Sequence, residues 1–140
     1  MEIRECMSRD LATVEPASSI AEAAKKMKEK NVGSILVVDQ NMMLKGILTD
    51  RDIALAIAAE GKSPQTAVQE IMKKDPKSIE INQKLDQCFE IMSQENIRRL
   101  PVVEKGKLVG VVSSADLAAT LKKQIDQLLD LEEAYSKAPH

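Results

Sequence analysis

The sequence predicts an α/β (α+β) protein: two tandem β-α-β-β-α repeats packed with pseudo-twofold symmetry. Three observations lead there. The 140-residue chain aligns with itself at a fixed offset. Each copy carries a helical apolar stripe flanked by β-rich runs. One copy alone has too few elements to close a core, so two must pack sheet to sheet.

The repeat comes first, because self-similarity fixes architecture before any single element does. Asn31-Val32-Gly33-Ser34-Ile35-Leu36-Val37-Val38-Asp39 aligns with Asn96-Ile97-Arg98-Arg99-Leu100-Pro101-Val102-Val103-Glu104, an offset of 65. The same offset pairs Met7 with Met72, Asp10 with Asp75, Glu15 with Glu80 and Met27 with Met92. Beyond the next turn the offset is 64, pairing Gly46 with Gly110, Thr49 with Ser113 and Asp52 with Asp116. The lost residue falls where Asp39–Met43 is replaced by a shorter turn at Lys105-Gly106, and turns tolerate such changes.

In copy one, Ala12-Thr13-Val14 reads as a short strand. Ser19 caps the helix that follows, with Glu22 three residues on in capping-box spacing. Ile20, Ala23, Ala24 and Met27 share its inner face. Ser34–Val38 and Leu44–Leu48 form a hairpin. A helix from about Asp50 to Glu60 ends at Gly61, and Ser63-Pro64 joins the copies. In copy two the expected cap is Asn82, and Leu85, Cys88, Phe89 and Met92 form the stripe. Leu100–Val103 and Lys107–Val112 form the second hairpin, and a last helix begins near Ser114. Within each copy the first two strands suit a parallel, right-handed crossover. The expected units are residues 1–64, residues 65–121, and an extension over 122–140 whose polar end, Glu132 to His140, is expected to fray.

Composition narrows the function. Apolar residues make up 44%, charged residues 30%, and the net charge is −2. That balance gives no electrostatic case for nucleic-acid binding. The only aromatics, Phe89 and Tyr135, cannot form a base-stacking platform. Cys6 and Cys88 lie far apart in sequence and read as reduced thiols of a cytoplasmic protein. Met1–Asp10 lacks the apolar core of a secretory signal. The longest apolar run, Ile53–Ala59, is far short of a membrane span. The sole histidine, His140, is the last residue and a poor general base. No phosphate-binding loop, zinc-protease pair or nucleophile elbow is present. The chain therefore reads as non-enzymatic, with no catalytic residue, required cofactor or metal site.

The residues that carry chemistry end each third strand: Gly46-Ile47-Leu48-Thr49-Asp50-Arg51-Asp52 and Gly110-Val111-Val112-Ser113-Ser114-Ala115-Asp116. Hydroxyl and carboxylate stand three residues apart at a strand-to-helix junction. The hydroxyl and free N–H groups suit a phosphate or ribose oxygen. The carboxylate suits ribose hydroxyls. The same spacing also makes a capping box that needs no ligand, and both readings stay open.

These segments resemble the CBS domain (named for cystathionine β-synthase), through Val-Gly-Ser-Ile-Leu-Val-Val-Asp in mid-repeat and Gly-Ile-Leu-Thr-Asp-Arg-Asp-Ile at the end. Residues 3–121 resemble a stand-alone CBS pair, or Bateman module. Leu48-Thr49-Asp50-Arg51-Asp52-Ile53 and Ile97-Arg98-Arg99-Leu100-Pro101-Val102-Val103 resemble the hypoxic-response-protein type. The resemblance implies a regulatory sensor that binds AMP, ADP, ATP or S-adenosylmethionine between its repeats. It implies that Thr49 and Asp52 in one cleft, and Ser113 and Asp116 in the other, meet phosphate or ribose. Thr13-Val14 and Ser78-Ile79 would offer backbone groups and an apolar wall to adenine.

Arg98 and Arg99 suit phosphate oxygens, or else pair on the rim with surface acids. Arg51, whose counterpart is Ala115, either reaches a ligand or lies on a solvated face. The stripe Leu117, Leu121, Ile125, Leu128, Leu129 either covers the module's own core or meets a second subunit, and the resemblance implies a homodimer. A regulated protein partner is implied but not identified. The alternatives are a ligand-free interaction scaffold and, more weakly, a nucleic-acid-binding regulator.

Overall fold

In the computed structural model, which describes residues 1–139, the two repeats fold alike. His140 lies outside the described residues. In the first repeat β1 (Thr13–Val14) runs parallel to β2 (Ser34–Val38), with Thr13 opposite Leu36. β2 pairs antiparallel with β3 (Leu44–Thr49). Between β1 and β2 lies α2 (Ile20–Lys30), which buries Ile20, Ala23 and Met27. Ser19 Oγ accepts the Glu22 N–H at 3.1 Å, so the expected cap is present. In the second repeat β5 (Ile79–Glu80) runs parallel to β6 (Arg99–Glu104), and β6 antiparallel to β7 (Lys107–Ser113). Their crossover helix is α4 (Leu85–Glu95). Asn31 and Asn96 end α2 and α4 alike, in the left-handed region at φ 53° and 52°.

Each repeat also borrows from the other. A short helix, α1 (Ile3–Cys6), buries Ile3 and Cys6 among Ile79, Cys88, Leu100 and Val112 of the second repeat. Ser8 then pairs with Val111 through two backbone hydrogen bonds, at 2.8 and 3.0 Å. Sixty-five residues on, β4 (Lys73–Lys74) pairs antiparallel with β3, Lys73 opposite Ile47. The 3₁₀ turn Val68–Glu70 ahead of it buries Val68 in the first repeat's core, against Val14, Ile35 and Leu48. The segment preceding each repeat thus completes the other repeat's sheet. A third apolar cluster, Leu36, Val38 and Leu108 with Leu11, Ile47 and Val111, joins the sheets across the pseudo-twofold axis.

Three sequence expectations are corrected. Asn82 does not cap α4: the helix begins at Leu85, and Gln87 Oε1 accepts the Lys84 N–H at 3.2 Å. The helix expected over Asp50–Glu60 is α-helical only as α3 (Asp50–Ala54) and continues as a π-helical turn, Leu55–Ala59. It stops at Gly61, at φ 68°, as glycine permits. The final helix, α5 (Ser114–Lys137), does not fray at Glu132. A Lys137–Glu133 ion pair of 2.8 Å, one turn apart, and the Ser136 Oγ bond to the Glu132 carbonyl reinforce its end.

Candidate functional site

The strand-to-helix junctions are built the same way but used differently. Thr49 Oγ1 accepts the Asp52 N–H at 3.1 Å, and Asp52 Oδ2 accepts the Thr49 N–H at 3.0 Å. This capping box is closed, each side chain accepting the other residue's N–H on the first turn of α3. In the second repeat Ser113 Oγ accepts the Asp116 N–H at 3.0 Å. The Asp116 carboxylate accepts no hydrogen bond from the described residues and is exposed. Sequence spacing could not separate a closed box from a half-open one.

Asp116 opens onto a cleft of about 390 Å³ between the repeats. Ser8, Asp10 and Ala12 line one wall, Val32 and Ser34 join them from the first repeat, and Arg99, Pro101, Ser113, Ala115 and Asp116 supply the other wall. Arg99 begins β6, so its side chain leaves the sheet at the cleft. Its guanidinium has no hydrogen-bond or ion-pair partner among the described residues. Asp10 pairs with Lys30 at 2.9 Å. The floor is apolar, from Leu36, Ile47 and Val111. A cleft with an apolar floor, a carboxylate beside a hydroxyl, and an arginine can hold a flat heterocycle, a diol and an anion together.

Of the sequence candidates, Arg99, Ser113 and Asp116 come together here. The others do not line this cleft. Thr13 follows Ala12, but its carbonyl accepts Lys26 Nζ at 2.6 Å. The Val14 and Ile79 side chains are in the cores of their repeats, and Ser78 is half-buried beside Ile79. Arg98 is exposed, and its carbonyl accepts the Ser114 N–H at 2.8 Å. Sequence reasoning missed Ser8, Asp10, Ala12 and Ser34. Two signals pointed to them: Asp10 repeats as Asp75, and Ser34 holds in copy one the place that Arg99 holds in copy two. Small residues stand on this side of the axis. Their repeat counterparts are larger cations: Lys73 for Ser8, Lys77 for Ala12, Arg51 for Ala115.

Comparison with known proteins agrees with this architecture. The family model for the CBS domain matches residues 3–59 and 68–123. The CBS domain-containing protein YhcV of Bacillus subtilis is 47% identical over 116 residues, covering 83% of this chain and 82% of its own. The CBS domain pair of protein MJ0100, solved in complex with 5′-methylthioadenosine and S-adenosyl-L-methionine, superposes with a TM-score of 0.73. It shares 30% identity over 86% of this chain and 99% of its own. CBSX2, solved in complex with AMP, gives a TM-score of 0.76 at 26% identity, over 88% and 98%. No helix among the described residues is long and apolar enough to cross a membrane. Two matched repeats, each completing the other's sheet around a shared cleft, place the chain in the CBS domain family as a CBS pair, a regulatory module.

Proposed function

We propose that the inter-repeat cleft binds an adenosine nucleotide and that the protein works as a cytoplasmic homodimeric sensor without catalysis of its own. One observation carries this reading. Asp116 stands at the start of α5 with its carboxylate unspent, in the same cleft as Ser113 and the unpaired Arg99. A ribose diol would donate to Asp116, the apolar floor would take adenine, and Arg99 would meet phosphate. The complexes of CBSX2 with AMP and of MJ0100 with its two adenosine ligands support this ligand class.

The cleft offers one unpaired cation against two carboxylates, so a monophosphate suits it better than ATP. AMP is the preferred ligand, with ADP and ATP weaker and S-adenosylmethionine the competitor that brings no phosphate. Because both repeats supply walls, a ligand that prefers one relative orientation shifts that population and the surface shown to a partner protein. For Thr49 and Asp52 the closed capping box supports the ligand-free reading.

The test is thermal unfolding with AMP, ADP, ATP, S-adenosylmethionine, NAD and GTP. A ligand at one hundred times its dissociation constant adds about 2.7 kcal/mol, a rise of several degrees for a domain this size. The order AMP above ATP above GTP supports the proposal. No shift with any adenosine ligand overturns it and leaves a protein-interaction scaffold.

A further inference from the structure

The C-terminal helix carries an apolar stripe that its own chain does not cover. Leu117, Leu121, Ile125 and Leu128 recur every three or four residues along α5. Leu117 is buried in the second repeat, but from Leu121 to Lys137 every residue is exposed, Leu128 by 58%. Those residues form an arm roughly 25 Å long at 1.5 Å per residue. At its root the stripe runs into a groove of about 420 Å³ between α4 and α5, lined by Phe89, Met92, Leu117, Ala118 and Leu121. The arm continues a helix already anchored at Leu117, and it leaves Ile125 and Leu128 more than half exposed, apolar area that a partner helix would bury.

We infer that this partner is the arm of a second copy, crossing antiparallel. The arm's charges are grouped along its length: Lys122 and Lys123 at the root, then Asp126, Asp130, Glu132 and Glu133, with Lys137 at the tip paired to Glu133 of its own helix. Glu132 falls within the stripe, about 20° around the helix from Leu121 at 100° per residue. In a parallel pair Glu132 faces the partner's Glu132 across the seam, like charge on like. In an antiparallel pair it lies beside the partner's Leu121 and the Lys122 that flanks the stripe there, about 100° around from Leu121, and the twofold axis passes beside Gln127. One arrangement satisfies both the apolar seam and the acid inside it. The inference rests on the homodimer reading above but not on the nucleotide.

The test is sedimentation of the full-length protein with charge variants. Lys122→Glu and Glu132→Lys each weaken the dimer, by roughly tenfold for two surface pairs turned repulsive. The double variant K122E/E132K restores it. In mixed samples, Lys122→Cys cross-links to Glu132→Cys and not to itself; the native Cys6 and Cys88 are buried and do not compete. A monomer at all concentrations overturns both the arm and the homodimer reading. A dimer indifferent to both charge variants, or self-cross-linking of Lys122→Cys, overturns the arm alone.

Discussion

Gly110 lies directly beneath Met7: a Cβ at Gly110 would stand 2.5 Å from Met7 Sδ and 3.0 Å from the Ser8 carbonyl oxygen. Gly46 lies the same way beneath Met72, with contacts of 2.6 Å to Sδ and 2.8 Å to the Lys73 carbonyl oxygen. These glycines recur at the repeat offset because each must let the other repeat's incoming segment approach its strand.

Gly46→Ala and Gly110→Ala should each destabilise the fold, by about 1–3 kcal/mol as overpacking does. The sign is informative, since replacing a strand glycine in open space ordinarily stabilises by reducing unfolded-state entropy. Urea unfolding measures it. A gain in stability in either variant would show that the segment can step aside at no cost.

The two aspartates at the repeat offset should separate function from stability. Asp116→Ala should abolish AMP binding in calorimetry while lowering stability by less than about 1 kcal/mol, the size of a first-turn dipole effect. Asp52→Ala should cost about 0.5–2 kcal/mol through loss of the capping box and leave AMP affinity within twofold. The reverse pattern would move the site to the first repeat.

Arg99→Gln should weaken AMP by ~10-fold or more, as loss of a charge-assisted pair does, and adenosine hardly at all. The difference should shrink as salt rises. Equal losses for AMP and adenosine would mean that Arg99 shapes the cleft instead of holding phosphate.

Cys88 sets an alkaline limit. Burial, aided by the charge of Cys6 nearby, raises its thiol from the ordinary 9.0 to about 11. The folded state holds this proton more tightly than the unfolded state does. Its contribution to stability is therefore complete below pH 9 and is lost as pH rises toward 11. Cys88→Ala should flatten the fall in stability between those pH values. In the native protein a thiol reagent at pH 8 should label Cys88 far more slowly than in urea.

Much of the fold was legible because the chain states it twice. Both hairpins and both crossover helices follow from the offset and from residue patterns. What escaped had no local signature. Ile3 and Cys6 look like the start of a surface segment, and only the tertiary structure shows that they fill the second repeat's core. Asn82 was the wrong cap because Gln87 supplies the bond from inside the helix, a reach that residue identity alone does not specify. The π-helical turn at Leu55–Ala59 has the composition of an ordinary helix. In the candidate cleft, spacing singles out Ser113 and Asp116, and charge singles out Arg99. Asp10 and Ala12 were not, because they reach the cleft through a segment that crosses from one repeat to the other.

That crossing governs how the molecule can move. Repeat two is stitched to the amino-terminal segment by Ser8 and Val111, and repeat one to the connecting segment by Ile47 and Lys73. The chain thus crosses between the halves on each side of the axis, and Met43 bridges to Lys107 between the two hairpins, so swinging the halves apart like jaws would strain both crossings and break that bridge. The motion expected to remain is a small counter-rotation about the axis itself. Ligand binding would then register as a change of twist at nearly constant radius of gyration, and a partner would sense torsion instead of an opened mouth.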